Sequence, residues 1–142
     1  MRSLWAHLVP RGPGATGAIV AALLGVTFSL SLAACSAPGD SDTAVANATG
    51  GDPSRGRDLV RKYGCGSCHM IPGVAGANGL VGPPLAGIAS RAYIAGVLPN
   101  APENMRRWLQ DPKAVDSLTA MPNLGVTASD ARHLSAYLYT LR

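Results

Sequence analysis

Three textures follow one another along the chain. From Ala15 to Ala34 twenty residues pass without a charge, ATGAIVAALLGVTFSLSLAA, behind a start that holds Arg2, His7 and Arg11 and no acid. A basic start followed by an apolar run reads as an export signal with its N-terminus in the cytoplasm. Twenty residues also approach the length of a transmembrane helix, although glycine, serine and threonine dilute the run and favour a cleaved signal. Residues 36–53, SAPGDSDTAVANATGGDP, are small and polar without periodicity and predict a flexible linker. Beyond them apolar residues recur at helical spacing in three places. Asp52 as N-cap and Pro53 at the first position open a helix over 53–63, which Gly64 ends. A short helix is expected over 102–110, PENMRRWLQ, stopped by Asp111-Pro112. The last helix starts at Thr127, with Asp130 at the positive end of its dipole and Ala131, Leu134, Leu138 and Leu141 as its buried stripe. The stretch between the first two helices is rich in glycine and proline and reads as loop. No segment reads as a strand pair. The pattern predicts an all-α domain over 54–142, three or so helices with long loops, after an anchor over 1–35 and a linker over 36–53.

Cysteine usage changes this picture most. The chain has three cysteines: Cys35, Cys65 and Cys68. The last two stand in Cys65-Gly66-Ser67-Cys68-His69, and C-x-x-C-H is the attachment signature of a covalent haem. The thiols can add across the two vinyl groups, and the histidine next in sequence can ligate the iron. A zinc site would need four ligands, and no second pair follows. A redox dithiol should sit near a βαβ pattern, and none is visible. Aromatic content is only 5%, so a small core gains from a large flat apolar body at its centre. Cys35 ends the apolar run as Leu32-Ala33-Ala34-Cys35. These four residues resemble the lipobox of bacterial lipoproteins, which implies lipidation of Cys35 after cleavage. The lack of a twin-arginine pair favours export of the unfolded chain, with haem attached afterwards. Either anchor would hold the domain on the periplasmic side of a membrane, most simply the cytoplasmic membrane.

The formal net charge is +4, and residues 54–142 hold ten basic against five acidic side chains. A moderately basic small domain suits an acidic protein partner. Nucleic acid is not expected, because the basic residues are scattered and no binding motif is present.

The face of the iron opposite His69 has several candidates: Met70, Met105, Met121, His133, water or nothing. Met70 is too close to His69 to reach round the ring. Met105 falls within a predicted helix, where core is the commoner role. His133 lies off the apolar stripe of the last helix and reads as a solvated histidine. Met121 lies in a loop, and the following Pro122 would fix the backbone that aims its sulfur.

Residues 54–142 resemble the class I, mitochondrial-type cytochrome c domain. Four blocks carry the resemblance in order: Gly56-x-x-x-Val60 before Cys65-x-x-Cys68-His69; Gly82-Pro83-Pro84-Leu85-x-Gly87; Trp108-Leu109 with Asp111-Pro112; and Met121-Pro122 ahead of Leu134-x-x-Tyr137-Leu138. The resemblance implies a small helical fold wrapped around one covalent haem c, with thioethers from Cys65 and Cys68 and iron held by His69 and Met121. It implies that the Pro83 carbonyl accepts the Nδ1–H of His69, that Leu85 packs on the haem, and that Arg91 and Trp108 lie near the propionates. Gly56 would let the first helix cross the last against Leu134 and Tyr137. Val60 stands where the family commonly has phenylalanine, so a looser crossing is expected. The implied activity is single-electron transfer without substrate conversion. The segment from Tyr93 to Trp108, with Met121 to Thr127, is similar to cytochrome c domains fused to or associated with subunit II of haem-copper oxidases. That implies a carrier between a quinol-oxidising complex and a terminal oxidase. Two other classes share the motif: a haem subunit of a periplasmic dehydrogenase, and a gas sensor or peroxidase-like protein in which Met121 leaves the iron.

Overall fold

The computed structural model describes residues 40–142. The anchor expected over 1–35, with Cys35, lies outside them. Among the described residues five helices occur: α1 (Asp40–Thr49), α2 (Pro53–Lys62), α3 (Pro102–Gln110), α4 (Pro112–Val115) and α5 (Ala128–Thr140). Single 3₁₀ turns lie at Cys65–Ser67 and Ile88–Ser90, and a two-residue hairpin pairs β1 (Tyr93–Ile94) with β2 (Leu98–Pro99). None of these helices is long and apolar enough to cross a membrane.

The helix ends follow their capping residues. The Asp52 carboxylate accepts from the backbone N–H of Ser54 at 2.8 Å and of Arg55 at 3.4 Å, with Pro53 at the first position. Gly64 takes φ +67° after the Tyr63 C-cap, and this left-handed turn feeds the chain into Cys65. Thr127 Oγ1 accepts from Asp130 N–H at 3.1 Å and opens α5. Asp111 closes α3 and caps α4 through the N–H of Ala114 at 3.1 Å.

The core forms where α2, α3 and α5 meet. Leu134 is 1% exposed, and Val60 and Met105 are each 2% exposed. The α2–α5 crossing turns on Gly56. A Cβ there would lie 2.0 Å from the His133 carbonyl oxygen and 2.7 Å from Tyr137 Cβ. Two helix backbones therefore touch at a position where only glycine fits.

A second tie joins the far end of α2 to the start of α5. Tyr63 Oη–H donates to Asp130 Oδ2 at 2.7 Å, and Lys62 Nζ–H donates to the same oxygen at 3.1 Å. The tyrosine hydrogen bond first, and the lysine second, hold the Asp130 carboxyl below the usual aspartate range. A carboxyl depressed in the folded state contributes stability above its unfolded pKa and loses it as pH falls through the folded value. Asp130→Asn should therefore be less stable than the parent at pH 7. The gap should begin to narrow below about pH 4, the ordinary aspartate value, and close as pH falls through the lower folded value. Urea unfolding at pH 7 and pH 3 checks this, and an equal gap at both would refute it.

Three expectations are corrected. Residues 36–53 are not a continuous flexible linker, because α1 occupies Asp40–Thr49. Its Val45 and Thr49 are buried, Gly50 leaves it at φ +67°, and Arg106 Nη1–H donates to the Thr49 carbonyl at 3.2 Å. One valine and one threonine a turn apart, among alanines, make a stripe too narrow to read without the surface it covers. His133 is not a free surface histidine. It is half-buried, and its Nδ1 accepts the Asp52 backbone N–H at 2.9 Å. The strand pair also exists, short as it is. Its turn places Ala95 at φ +51° and Gly96 at φ +78°, with Val97 N–H donating to Ile94 O at 3.0 Å. Consecutive left-handed residues suit the twist of a hairpin, but Ala-Gly is a weak signal for them.

Candidate haem site

The site grows out of the C-terminal end of α2. After Gly64 the chain makes one tight turn, in which the N–H groups of Cys68 and His69 both donate to the Cys65 carbonyl, at 3.3 and 3.0 Å. Both cysteines are free and half-buried. Burial pushes the Cys65 thiol above its ordinary pKa, so it stays protonated at neutral pH.

The following loop folds back on this turn and clamps it. Gly79 N–H donates to Gly66 O at 3.1 Å, Gly82 N–H to Cys68 O at 2.8 Å, and Leu85 N–H to Met70 O at 2.9 Å. The contact is close enough to exclude side chains. A Cβ on Gly82 would lie 2.4 Å from Cε1 and 2.7 Å from Nδ1 of His69. The imidazole thus lies flat on the bare backbone of Gly82.

His69 Nδ1 lies 2.7 Å from the Pro83 carbonyl oxygen. A carbonyl only accepts, so Nδ1 carries the proton and the Nε2 lone pair is left for a metal. The bond also fixes the ring plane and makes the imidazole a better donor. Arg91 supports the carbonyl's loop from below: its guanidinium donates to the carbonyls of Pro84 and Ala86, the latter at 3.0 Å. A guanidinium has five N–H donors, so this clasp leaves others for a carboxylate.

Around this imidazole the apolar side chains are unusually open. Leu80 and Val81, just before Gly82, are each 80% exposed. Leu85 and Met121 are half-buried against the core, and Trp108 is 7% exposed within α3. Met105 is core. His133 is bonded near the start of α2, whereas Cys65–His69 follow its end, so the tertiary structure commits it elsewhere. Among the described residues no three His, Cys, Asp or Glu side chains converge on a point that could hold a bare metal ion. Two free thiols, one imidazole with a fixed tautomer and exposed apolar side chains beside it fit a metal that brings its own equatorial ligands in a large apolar ring. The residues therefore fit a haem.

Sequence reasoning places the Pro83 bond through the family resemblance, and it misses two positions. Gly82 stands in a recognisable motif, but nothing there shows it as the floor under the imidazole. Gly79 is equally tight, with a Cβ there 2.4 Å from the Ser67 carbonyl oxygen, and the glycine-rich composition of the loop is its only signal.

Comparison with known proteins agrees with this geometry. The family profile described as Cytochrome c matches residues 53–142. A relative, cytochrome c oxidase subunit 2 of Alkalihalophilus pseudofirmus, is 31% identical over 90 residues, which are 63% of this chain and 25% of that protein. The chain thus spans about a quarter of the relative's length. Because the family profile covers the domain from the first residue of α2 to the end of α5 and beyond, with the C-x-x-C-H turn inside it, the chain belongs to the cytochrome c family, a carrier of electrons on covalent haem c.

Proposed function

We propose that this protein is a membrane-tethered periplasmic cytochrome that passes single electrons to a cytochrome c oxidase. In this reading Cys65 and Cys68 hold the haem, and His69 and Met121 hold its iron. The observation that carries His69 as a ligand is the 2.7 Å approach of its Nδ1 to the Pro83 carbonyl, which leaves the Nε2 lone pair free for iron; Met121 rests on the family resemblance. Bound haem supplies a metal that cycles between ferric and ferrous. The protein's part is to keep both ligands through the cycle, so that little reorganises. Pro83 and Gly82 hold the imidazole plane, Pro122 restricts the backbone behind Met121, and Arg91 steadies the Pro83 loop while keeping donors for a propionate. Methionine sulfur favours the ferrous state and raises the potential. Leu85 supplies apolar wall, and Trp108 lies near a propionate.

The partner reading draws support from the similarity to an oxidase subunit 2 and from the basic excess over 54–142. Basic side chains steer a carrier to an acidic docking face and lose that effect in salt. A quinol-oxidising complex would supply the electron. The anchor is either a lipid on Cys35, once the signal over 15–34 is cleaved, or that apolar run retained as a helix.

The test uses the full chain, matured in an exporting host and reduced. Mixed with vesicles holding a cytochrome c oxidase, it should be oxidised at a rate proportional to oxidase and falling as salt rises. No oxidation above an oxidase-free control would reject the oxidase as partner. The ferric spectrum should show a methionine–iron charge-transfer band, and its absence would reject Met121 as ligand.

A further inference from the structure

The turn over 116–119, just ahead of Met121, is held by polar bonds. At its apex Leu118 is 91% exposed, so apolar burial does not hold the turn. Instead, Asp116 N–H donates to Pro112 O at 2.9 Å, Leu118 N–H to Asp116 Oδ1 at 3.0 Å, and Thr119 N–H to Asp116 O at 3.1 Å. Met121 N–H then donates to Thr119 Oγ1 at 3.2 Å. One side chain spans the whole turn. Lys113 Nζ–H donates to the Thr119 carbonyl at 2.6 Å and to the Ser117 carbonyl at 3.4 Å. Its root is firm, because Lys113 follows Pro112, one of the fully buried side chains of the fold, in α4, which Asp111 caps.

We infer that Lys113 is a positioning residue for the Met121 thioether: its ammonium closes the 116–121 turn and sets how often the sulfur leaves the iron. The inference rests on Met121 as the ligand. An ammonium has three donors and no acceptor, so it can take two carbonyls of one turn at once. Both carbonyls belong to the turn that ends on Thr119, the residue whose hydroxyl receives the Met121 N–H. Lys113 therefore acts two hydrogen bonds away from the methionine backbone. Loss of the ammonium frees the turn, and the population with the sulfur dissociated rises.

An exogenous ligand reads that population directly, because its apparent affinity scales with the fraction of protein whose site is open. The probe is imidazole, titrated into the ferric, haem-loaded full chain and followed by loss of the methionine–iron charge-transfer band and the accompanying shift in the visible spectrum. Lys113→Met should bind imidazole about fivefold more tightly than the parent, a modest factor because the ammonium is exposed to solvent. Lys113→Arg, which can still donate to both carbonyls, should stay within about twofold of the parent. In a Met121→Ala background Lys113→Met should have no effect, since the residue acts only through the methionine. Equal affinity in the parent and Lys113→Met would overturn the inference, as would a fivefold change that persists without Met121. A parent that binds imidazole as tightly as Met121→Ala would show that the sulfur never held the iron, and would sink the ligand reading together with this one.

Discussion

Met121→Ala should keep its haem and lose its closed coordination. Cys65 and Cys68 are untouched by the change, so the haem should stay with the polypeptide on a denaturing gel. The potential should fall, because the thioether that favours ferrous iron is gone. Carbon monoxide, excluded from a six-coordinate ferrous centre, should bind readily. The size of the effect follows from the competition. If the sulfur leaves the iron about 0.1–10% of the time, removing it raises apparent ligand affinity roughly tenfold to a thousandfold. Redox titration and a carbon monoxide difference spectrum read both changes. An unchanged potential with no carbon monoxide shift would mean the opposite face of the iron belongs to another group. Ready carbon monoxide binding by the parent protein would instead indicate an open site, and would favour sensing or catalysis over electron transfer.

Gly56→Ala should destabilise the domain by about 3 kcal/mol or more, the upper part of the range for forced overpacking. Secondary-structure propensity alone predicts the opposite. Gly56 lies within α2, and alanine is favoured over glycine in a helix interior by about 1 kcal/mol. The tertiary contact outweighs that preference. The added carbon would sit 2.0 Å from the His133 carbonyl oxygen and 2.7 Å from the His133 carbonyl carbon. Backbone atoms of a packed helix cannot swing aside as a side chain can, so α2 and α5 would have to separate. Separation would loosen Val60 against Leu134 and would strain the Asp52–His133 and Tyr63–Asp130 bonds at the two ends of α2. A loss of that size lowers the melting temperature of a small domain by about 12 °C or more. Thermal unfolding of the haem-loaded protein gives the sign at once. A higher melting temperature than the parent would show that the helices do not meet as closely as the Gly56 contact requires.

Much of the domain is legible in the order of its residues. Asp52-Pro53 and Thr127 mark the starts of α2 and α5, because capping is a local exchange between a side chain and the next three backbone N–H groups. Asp111-Pro112 stops α3 for a similarly local reason. The haem motif is legible because its chemistry lies within five consecutive residues, Cys65 to His69. The Pro83 partner is legible only through resemblance to a family, since nothing in a proline-rich loop announces that its carbonyl will face an imidazole fourteen residues earlier.

The features that stay hidden share one cause. α1 has little periodic signal of its own, and the burial of Val45 and Thr49 exists only once the surface they cover is folded. His133 reads as a polar residue on a polar face until the N-terminal end of α2 arrives with Asp52 N–H as its donor. Gly82 looks like one glycine among many in a loop until the His69 ring lies against it. Lys113 looks like an exposed charge until the turn after α4 folds back on its ammonium. Helix starts and stops, the haem chemistry and the class of the domain are written in short stretches of chain, because they depend on neighbours a few residues apart. Folding in three dimensions selects the rest: which glycine carries the helix crossing, which histidine is committed to a cap and what holds the Met121 loop. Those choices depend on backbone atoms brought together from distant parts of the chain, and a sequence does not display a distance between two carbonyls.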